Sequence, residues 1–437
     1  MKLIVRPANR LHGTVTLPGD KSISHRALIF GAVAEGVTKA YNWLNAGVTE
    51  RMVDCIRRLG VRVDVEPVGL GRATLTVYGK GQSGLTAPQA ALFCGGSATT
   101  MRLLMGLLAA QPFSATLDGH EGLRRRPMER IARPLRQMGA LVDTTAGHAP
   151  VTVTGQRLTG IDYEMPVASA QLQTALLLAA LGAEGKMRIR QPGPARDHTL
   201  RMLRSQQARI HEASGVITFT PENHNLQPLN FTVPGDMSSA AFLMTAALIV
   251  PDSQVDLVGA NTNYTRTGLM EILQAMGGHI ETSSEHVEAS EPVANLTVQA
   301  SALQGREVGG EIVIRMIDEF PIFTVAALHA TGKTIVRDAA ELRKKESDRI
   351  EVVVQEFRRL GADITPHPDG FEIHGPQTLT GTTVHSRRDH RLALSLAIAG
   401  LAAGGKTVIE EAQELNESFP SFVDTLQSLG ADVRWVD

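Results

Sequence analysis

Cysteine and aromatic residues are scarce in this 437-residue chain, which has two Cys and 4% Phe, Trp and Tyr. Two cysteines build no disulfide framework, which fits a reducing compartment and gives the expectation of a cytoplasmic protein. So few aromatics leave little surface for stacking bases, and a formal net charge of −2 supplies no basic field for nucleic acid. Long hydrophobic runs are missing as well. Residues 240–250 fall short of the roughly 18 that a membrane helix needs, and residues 1–7 lack the apolar core of a signal peptide. Neither a membrane nor a nucleic acid is therefore expected as a partner. No His/Cys set has metal-ligand spacing, so no metal is expected; Cys55 and Cys94 read as packing residues. What is present is 43% hydrophobic and 20% charged residues, an ordinary globular balance in a chain too long for one core.

Short Gly-Ala phrases reveal a repeat. Leu59-Gly60-Val61, Met138-Gly139-Ala140, Met276-Gly277-Gly278, Leu360-Gly361-Ala362 and Leu429-Gly430-Ala431 each close an amphipathic helix and lead into a strand. Most intervals are roughly 70–85 residues, and the one between 139 and 277 is about twice the shortest. A sixth copy is therefore expected near position 208, where Gln207 replaces the glycine. Six Ala/Leu/Gly-rich helices, at 27–36, 101–110, 171–185, 240–250, 323–332 and 392–405, are apolar on nearly every face and belong inside. Helices at 49–59 and 350–360 are one-sided, and strands such as 73–78, 151–154 and 371–374 should lie outside. Residues 233–239, Val-Pro-Gly-Asp-Met-Ser-Ser, echo Leu-Pro-Gly-Asp-Lys-Ser-Ile at 17–23 about half a chain earlier. The chain thus reads as two similar halves of three units each, with a crossover near Pro234.

Polar chemistry gathers at the starts of the internal helices. Gly19-Asp20-Lys21-Ser22 lies at a strand-to-helix turn, where unpaired N–H groups and the helix dipole favour an anion; Lys21, Ser22 and Arg26 add an ammonium, a hydroxyl and a guanidinium. A Walker A loop is excluded because Asp20 stands where a glycine must precede the lysine. Equivalent places elsewhere carry 94–102 (Cys-Gly-Gly-Ser-Ala-Thr-Thr-Met-Arg), Arg124-Arg125-Arg126-Pro127, Ser169-Ala170-Gln171, Asp318-Glu319, 343–349 (Arg-Lys-Lys-Glu-Ser-Asp-Arg) and Asp389-His390-Arg391. Singly, a charge run such as 343–349 reads as a solvated face. Recurrence at equivalent ends of different repeats points instead to one cleft that handles small polyanions, with guanidiniums for phosphate or carboxylate and a few carboxylates for proton transfer.

Taken together, Lys21-Ser22-Ile23-Ser24-His25-Arg26, Arg126-Pro127-Met128, Lys345-Glu346-Ser347-Asp348-Arg349 and Asp389-His390-Arg391 closely resemble the 5-enolpyruvylshikimate-3-phosphate synthase family, over nearly the whole chain. The resemblance implies an inside-out, barrel-like α/β fold with two pseudo-symmetric, hinged domains, each of three βαβαββ-type repeats. One domain is 21–233; the other is 1–20 plus 234–437. It implies transfer of the carboxyvinyl group of phosphoenolpyruvate to the 5-hydroxyl of shikimate 3-phosphate, with release of phosphate, the sixth step toward chorismate in the shikimate pathway. No cofactor, metal or covalent enzyme intermediate is implied, and a monomer is expected. By the same resemblance, Lys21, Ser22, Arg26, Ser169, Ala170, Gln171, Arg196, Asp318 and Lys345 bind shikimate 3-phosphate. Lys21, Ala98, Arg126, Gln171, Arg349 and Arg391 meet phosphoenolpyruvate. Asp318 accepts the 5-hydroxyl proton, Glu346 protonates the methylene carbon, and Lys345 and Lys21 assist. Domain closure is expected to exclude water and complete the site.

The departures are specific. Gly96 lacks the family's usual Asn side chain, which braces the loop, and Ala98 puts a methyl where glycine is usual beside phosphoenolpyruvate. That methyl is expected to crowd glyphosate, the family's inhibitor, more than the smaller substrate. Ala195 stands where a hydroxyl is common, Leu200 where Glu is, and Gln206-Gln207 where an aromatic-Gly pair is. Glu417 stands where some members carry Lys, and that ligand is not carried over. Two alternatives share the fold: the sister enzyme acting on UDP-N-acetylglucosamine, whose reactive-loop cysteine motif is not recognisable here, and a relative that is catalytically silent or processes RNA ends.

Overall fold

The computed structural model describes residues 1–221 and 226–436. The chain divides into two compact units. An N-terminal unit comprises Lys21–Val233 with Glu288–Glu291, and a C-terminal unit comprises Met1–Asp20, Pro234–Val287 and Pro292–Asp437. Each has its own hydrophobic core.

The helices that are apolar all round are the interior ones. In the C-terminal unit Met237–Ile249, Phe320–His329 and His390–Ala402 pack on one another. Every residue from Met237 to Leu248 is buried, which only a helix without a polar face tolerates. In the N-terminal unit Ala98–Ala109 packs on Ala170–Ala180. The approach is close at Gly106, where a Cβ would sit 2.2 Å from the Ala175 carbonyl oxygen, so no larger residue fits. The third interior helix runs Lys21–Val33 and starts well before the expected position 27. Its polar opening, Ser24-His25-Arg26, precedes the apolar run that marks the helix in sequence, yet it is already buried helix whose side chains meet internal partners.

Six four-stranded sheets surround these helices among the described residues, with a two-stranded pair at Leu158–Thr159 and Ala183–Glu184. In all six the first pair is parallel and the second antiparallel. No described sheet closes on itself: the barrel-like character lies in helices enclosed by open sheets, inside out relative to a β-barrel. Three sheets borrow strands from distant sequence. Asn230–Thr232 pairs with Glu35–Leu44, His12–Thr16 with Gln254–Asn261, and Lys2–Val5 sits between Thr407–Glu410 and Val433–Val436. The echoed turns meet as well: the Asp20 N–H donates to the Pro234 carbonyl (2.7 Å) and the Asp236 N–H to that of Pro18 (2.8 Å).

The repeat shows in backbone conformation. Gly60, Gly139, Gly277, Gly361 and Gly430, each just after an outer helix, all have positive φ, from +87° to +110°. Gln207 takes the sixth place with φ +64°. A side chain there costs about 1–2 kcal/mol, partly offset because glycine loses more freedom on folding. Gln207 is exposed, so its side chain recovers little by packing. Gln207→Gly is therefore expected to raise stability by about 0.5–1 kcal/mol, read as a higher urea midpoint with unchanged m-value.

Candidate active site

In the N-terminal unit the candidate residues lie at the starts of the interior helices. Lys21 and Ser22 open Lys21–Val33 and are half-buried. Ser169 caps Ala170–Ala180, accepting from the Leu172 N–H at 3.4 Å, so its hydroxyl and the half-buried Ala170 and Gln171 stand at a helix N-terminus, where anions are favoured. Arg26 is buried between these elements. Its Nε donates to Thr199 Oγ1 and its Nη2 to Thr174 Oγ1, both at 2.7 Å, and its Nη1 to the Ser22 carbonyl at 2.9 Å. The guanidinium therefore braces the helix starts that carry Ser22 and Ala170. Arg196 is half-buried in the loop before His198–Ser205.

Ala98 is the buried first residue of Ala98–Ala109, capped by Ser97, whose Oγ accepts from the Thr100 N–H (3.1 Å) and hydroxyl (2.8 Å). Gly96 faces open space, since a Cβ there would meet nothing within 4 Å. The loop is held instead by Ser97 and by the Gly95 carbonyl, which accepts from the His120 N–H at 2.8 Å. Arg102, one turn in and buried, donates from Nη1 to Gln171 Oε1 (2.6 Å) and from Nη2 to the Pro127 carbonyl (2.9 Å). It therefore positions both Gln171 and the segment carrying half-buried Arg126; Gln171 in turn donates to Thr99 Oγ1 at 2.9 Å.

His25 is buried in the same helix, its Nδ1 donating to the Lys21 carbonyl at 2.8 Å. Burial drives its pKa down to about 4; the bond to Lys21 opposes this, while the charges of Lys21 and Arg26 add to it. The unfolded chain takes up this proton below about 6.5 and the folded chain only near 4, so His25 costs stability as pH falls through that window. Between pH 7 and pH 5 the loss is about 2 kcal/mol. Urea melts of His25→Gln should lack that part of the parent's acid slope.

In the C-terminal unit a denser cluster forms around Arg349, whose side chain is 1% exposed. Its Nε meets Asp389 Oδ2 at 2.9 Å, its Nη2 meets Glu346 Oε2 at 2.9 Å, and its Nη1 meets Asp318 Oδ1 at 3.3 Å. Burial alone would pull this guanidinium's pKa down; Asp389, Glu346 and Asp318 outweigh that and raise it. Lys345 Nζ also reaches Asp318 Oδ1, at 3.2 Å. Arg391 follows Asp389, the cap of His390–Ala402, and its Nη2 lies 3.8 Å from Asp318 Oδ2. Three helix starts thus bring Asp318, Lys345, Glu346, Arg349 and Arg391 together. The carboxylates suit proton transfer and the cations suit an anion. Buried Arg266, which spans Asp20 (3.1 Å) and Asp236 (2.7 Å) of the echoed turns, extends the network. Among the described residues no group of three or more His, Cys, Asp or Glu could hold a metal ion, and no helix is long and apolar enough to cross a membrane.

Sequence reasoning gave no role to Arg102, Thr174, Thr199, Ser238, Arg266, Glu319 or Asp389. For Arg102 and Asp389 the signal was a charge at the start of an apolar helix; for the others the partner lies far away in sequence.

The chain matches the profile of the EPSP synthase (3-phosphoshikimate 1-carboxyvinyltransferase) family over residues 5–426. It is 43% identical over 433 residues to the 3-phosphoshikimate 1-carboxyvinyltransferase of Desulforamulus reducens, covering 98% of this chain and 99% of that one. To that of Geobacter sulfurreducens it is 44% identical over 432 residues, with the same coverage. The solved EPSP synthase of Acinetobacter baumannii superposes with a TM-score of 0.88 at 40% identity, covering 99% of both chains. The enolpyruvyl transferase NikO of Streptomyces tendae, at 19% identity and a TM-score of 0.81, shares the fold. The chain belongs to the EPSP synthase family.

Proposed function

We propose that this chain transfers the carboxyvinyl group of phosphoenolpyruvate to the 5-hydroxyl of shikimate 3-phosphate. The observation that carries the reading most directly is the Asp318–Lys345–Glu346–Arg349–Arg391 cluster, in which acid–base groups and anion-binding cations share hydrogen bonds. Lys21, Ser22, Arg26, Ser169, Ala170, Gln171 and Arg196 of the N-terminal domain (21–233) bind shikimate 3-phosphate; Asp318 and Lys345 meet it from the C-terminal domain (1–20 and 234–437). Arg349 and Arg391, with Arg126, Ala98, Lys21 and Gln171, hold phosphoenolpyruvate. Glu346 protonates the methylene carbon while Asp318 takes the 5-hydroxyl proton, so the new C–O bond forms as positive charge develops on the central carbon. Loss of a methyl proton from the tetrahedral adduct then expels phosphate. The enzyme acts as a monomer in the cytoplasm.

A coupled phosphate-release assay with both substrates tests the reading, and turnover is expected. No product with that pair, but turnover with a UDP-sugar acceptor, would transfer the assignment to the sister reaction; binding of RNA 3′ ends without turnover would transfer it to the silent relative. Ala98 supplies a narrower prediction. Removing one methyl from a close pocket changes discrimination by roughly 10-fold or more, so Ala98→Gly should lower the glyphosate concentration needed for half-inhibition by about that factor. Equal inhibition of the two enzymes would show that the methyl does not crowd the inhibitor.

A further inference from the structure

Glu319, next to Asp318, is a deeply buried carboxylate beside the cluster to which the mechanism gives no part. Its side chain is 3% exposed, and it stands at the cap of Phe320–His329 without capping it. Its Oε1 accepts from Ser238 Oγ in a short hydrogen bond and lies 3.5 Å from Arg391 Nη1. Its Oε2 is shielded from solvent and meets no donor among the described residues. A carboxylate buried with one oxygen unused carries a desolvation cost that a purely architectural position would avoid with an apolar residue.

Ser238 shows what that cost maintains. Its hydroxyl donates to Glu319 and accepts from Arg391 Nη2 at 3.2 Å and from Arg266 Nη2 at 2.9 Å. One donor and both acceptor positions are thus in use, which fixes its orientation. Arg391, 5% exposed, makes no close bidentate pair with a carboxylate: its contacts are Glu319 at 3.5 Å, Ser238 at 3.2 Å and Asp318 at 3.8 Å. Arg349, by contrast, is gripped by Asp389 through two nitrogens. A guanidinium held loosely on one side, in a pocket that fixes its direction, is pre-organised to give its strong bidentate hydrogen bonds to an incoming anion.

We infer that Glu319, acting through Ser238, is a positioning residue that aims Arg391 at phosphoenolpyruvate. The inference rests on the assignment of Arg391 to that substrate. Steady-state kinetics of the full chain test it. Glu319→Ala should raise KM for phosphoenolpyruvate about 10-fold or more, while KM for shikimate 3-phosphate stays within about 2-fold and kcat within about 3-fold. Glu319→Gln keeps an acceptor for Ser238 but loses the charge that draws Arg391, and should fall between Glu319→Ala and the parent. Ser238→Ala should give the same one-sided split, and serves alone if Glu319→Ala does not fold. In an Arg391→Ala background Glu319→Ala should add nothing further. Unchanged or lowered KM for phosphoenolpyruvate in the Glu319 and Ser238 variants would overturn the inference, as would both KM values and the melting temperature moving in parallel. If Arg391→Ala itself leaves KM for phosphoenolpyruvate unchanged, the clamp assignment fails, and the inference falls with it.

Discussion

Glu346→Gln is expected to lower kcat by roughly 100-fold or more while KM for each substrate changes little. The substitution keeps the side chain's size, and an amide oxygen can still accept from Arg349 Nη2, which lies 2.9 Å from the native carboxylate. What is lost is the proton that the carboxyl delivers to the methylene carbon. A loss confined to kcat separates this role from a binding one. Asp318→Ala should be comparably slow, because the 5-hydroxyl then has no base. Asp318→Asn is the cleaner variant, since Asp318 also faces Lys345 at 3.2 Å and Arg349 at 3.3 Å, and deleting the side chain would leave both cations short of an acceptor. Two residues serving one addition step should act as a unit, so the double variant should be little slower than the slower single one. Near-normal turnover in either single variant would remove that residue from the chemistry.

The sequence carried the local parts of this structure well and the long-range parts poorly, for physical reasons. Helices without a polar face announce burial, so the interior of both units was readable, and the glycine phrases marked where outer helices end. The copy near 208 was legible without its glycine because spacing alone predicted it; the +64° φ of Gln207 shows that the backbone keeps the turn even where the favoured residue is gone. Helix starts were harder. Arg26 was legible as a charge near a helix start but not as a buried one, because its partners Thr174 and Thr199 lie more than a hundred residues away. Arg266 is the extreme case: its bond to Asp20 joins residues 246 apart, and nothing in its own neighbourhood distinguishes it from a surface arginine. Glu319 was quoted beside Asp318 but received no role, since adjacency in sequence does not say which of two carboxylates faces inward.

Arg349 carries the largest expected effect on stability. Asp389 is fully buried, and its pKa balances opposed influences: burial and the charge of Glu346 raise it, while the charges of Arg349 and His390 and the Arg349 hydrogen bonds together outweigh them and lower it. In the parent, the stability from this depressed carboxylate is present above its unfolded pKa, near 4, and is lost only as pH falls through the lower folded value. Arg349→Leu leaves Asp389 with Ser347 Oγ and the Arg391 N–H, each at 2.9 Å, but with no counter-charge on the side that Arg349 occupied. Breaking a buried pair from one side costs about 3–5 kcal/mol, so urea denaturation should show a deficit of that order at pH 7. The pH dependence then changes sign. With burial less opposed, the folded pKa of Asp389 rises above the unfolded one, so the folded variant takes up a proton first and gains stability relative to the parent as pH falls from 7 toward 5. Adding Asp389→Asn should recover part of the deficit at pH 7 and flatten that dependence, because the uncompensated charge is gone. A deficit that neither shrinks at lower pH nor responds to Asp389→Asn would mean that the cost comes from lost packing around the Arg349 stem rather than from an unpaired buried charge.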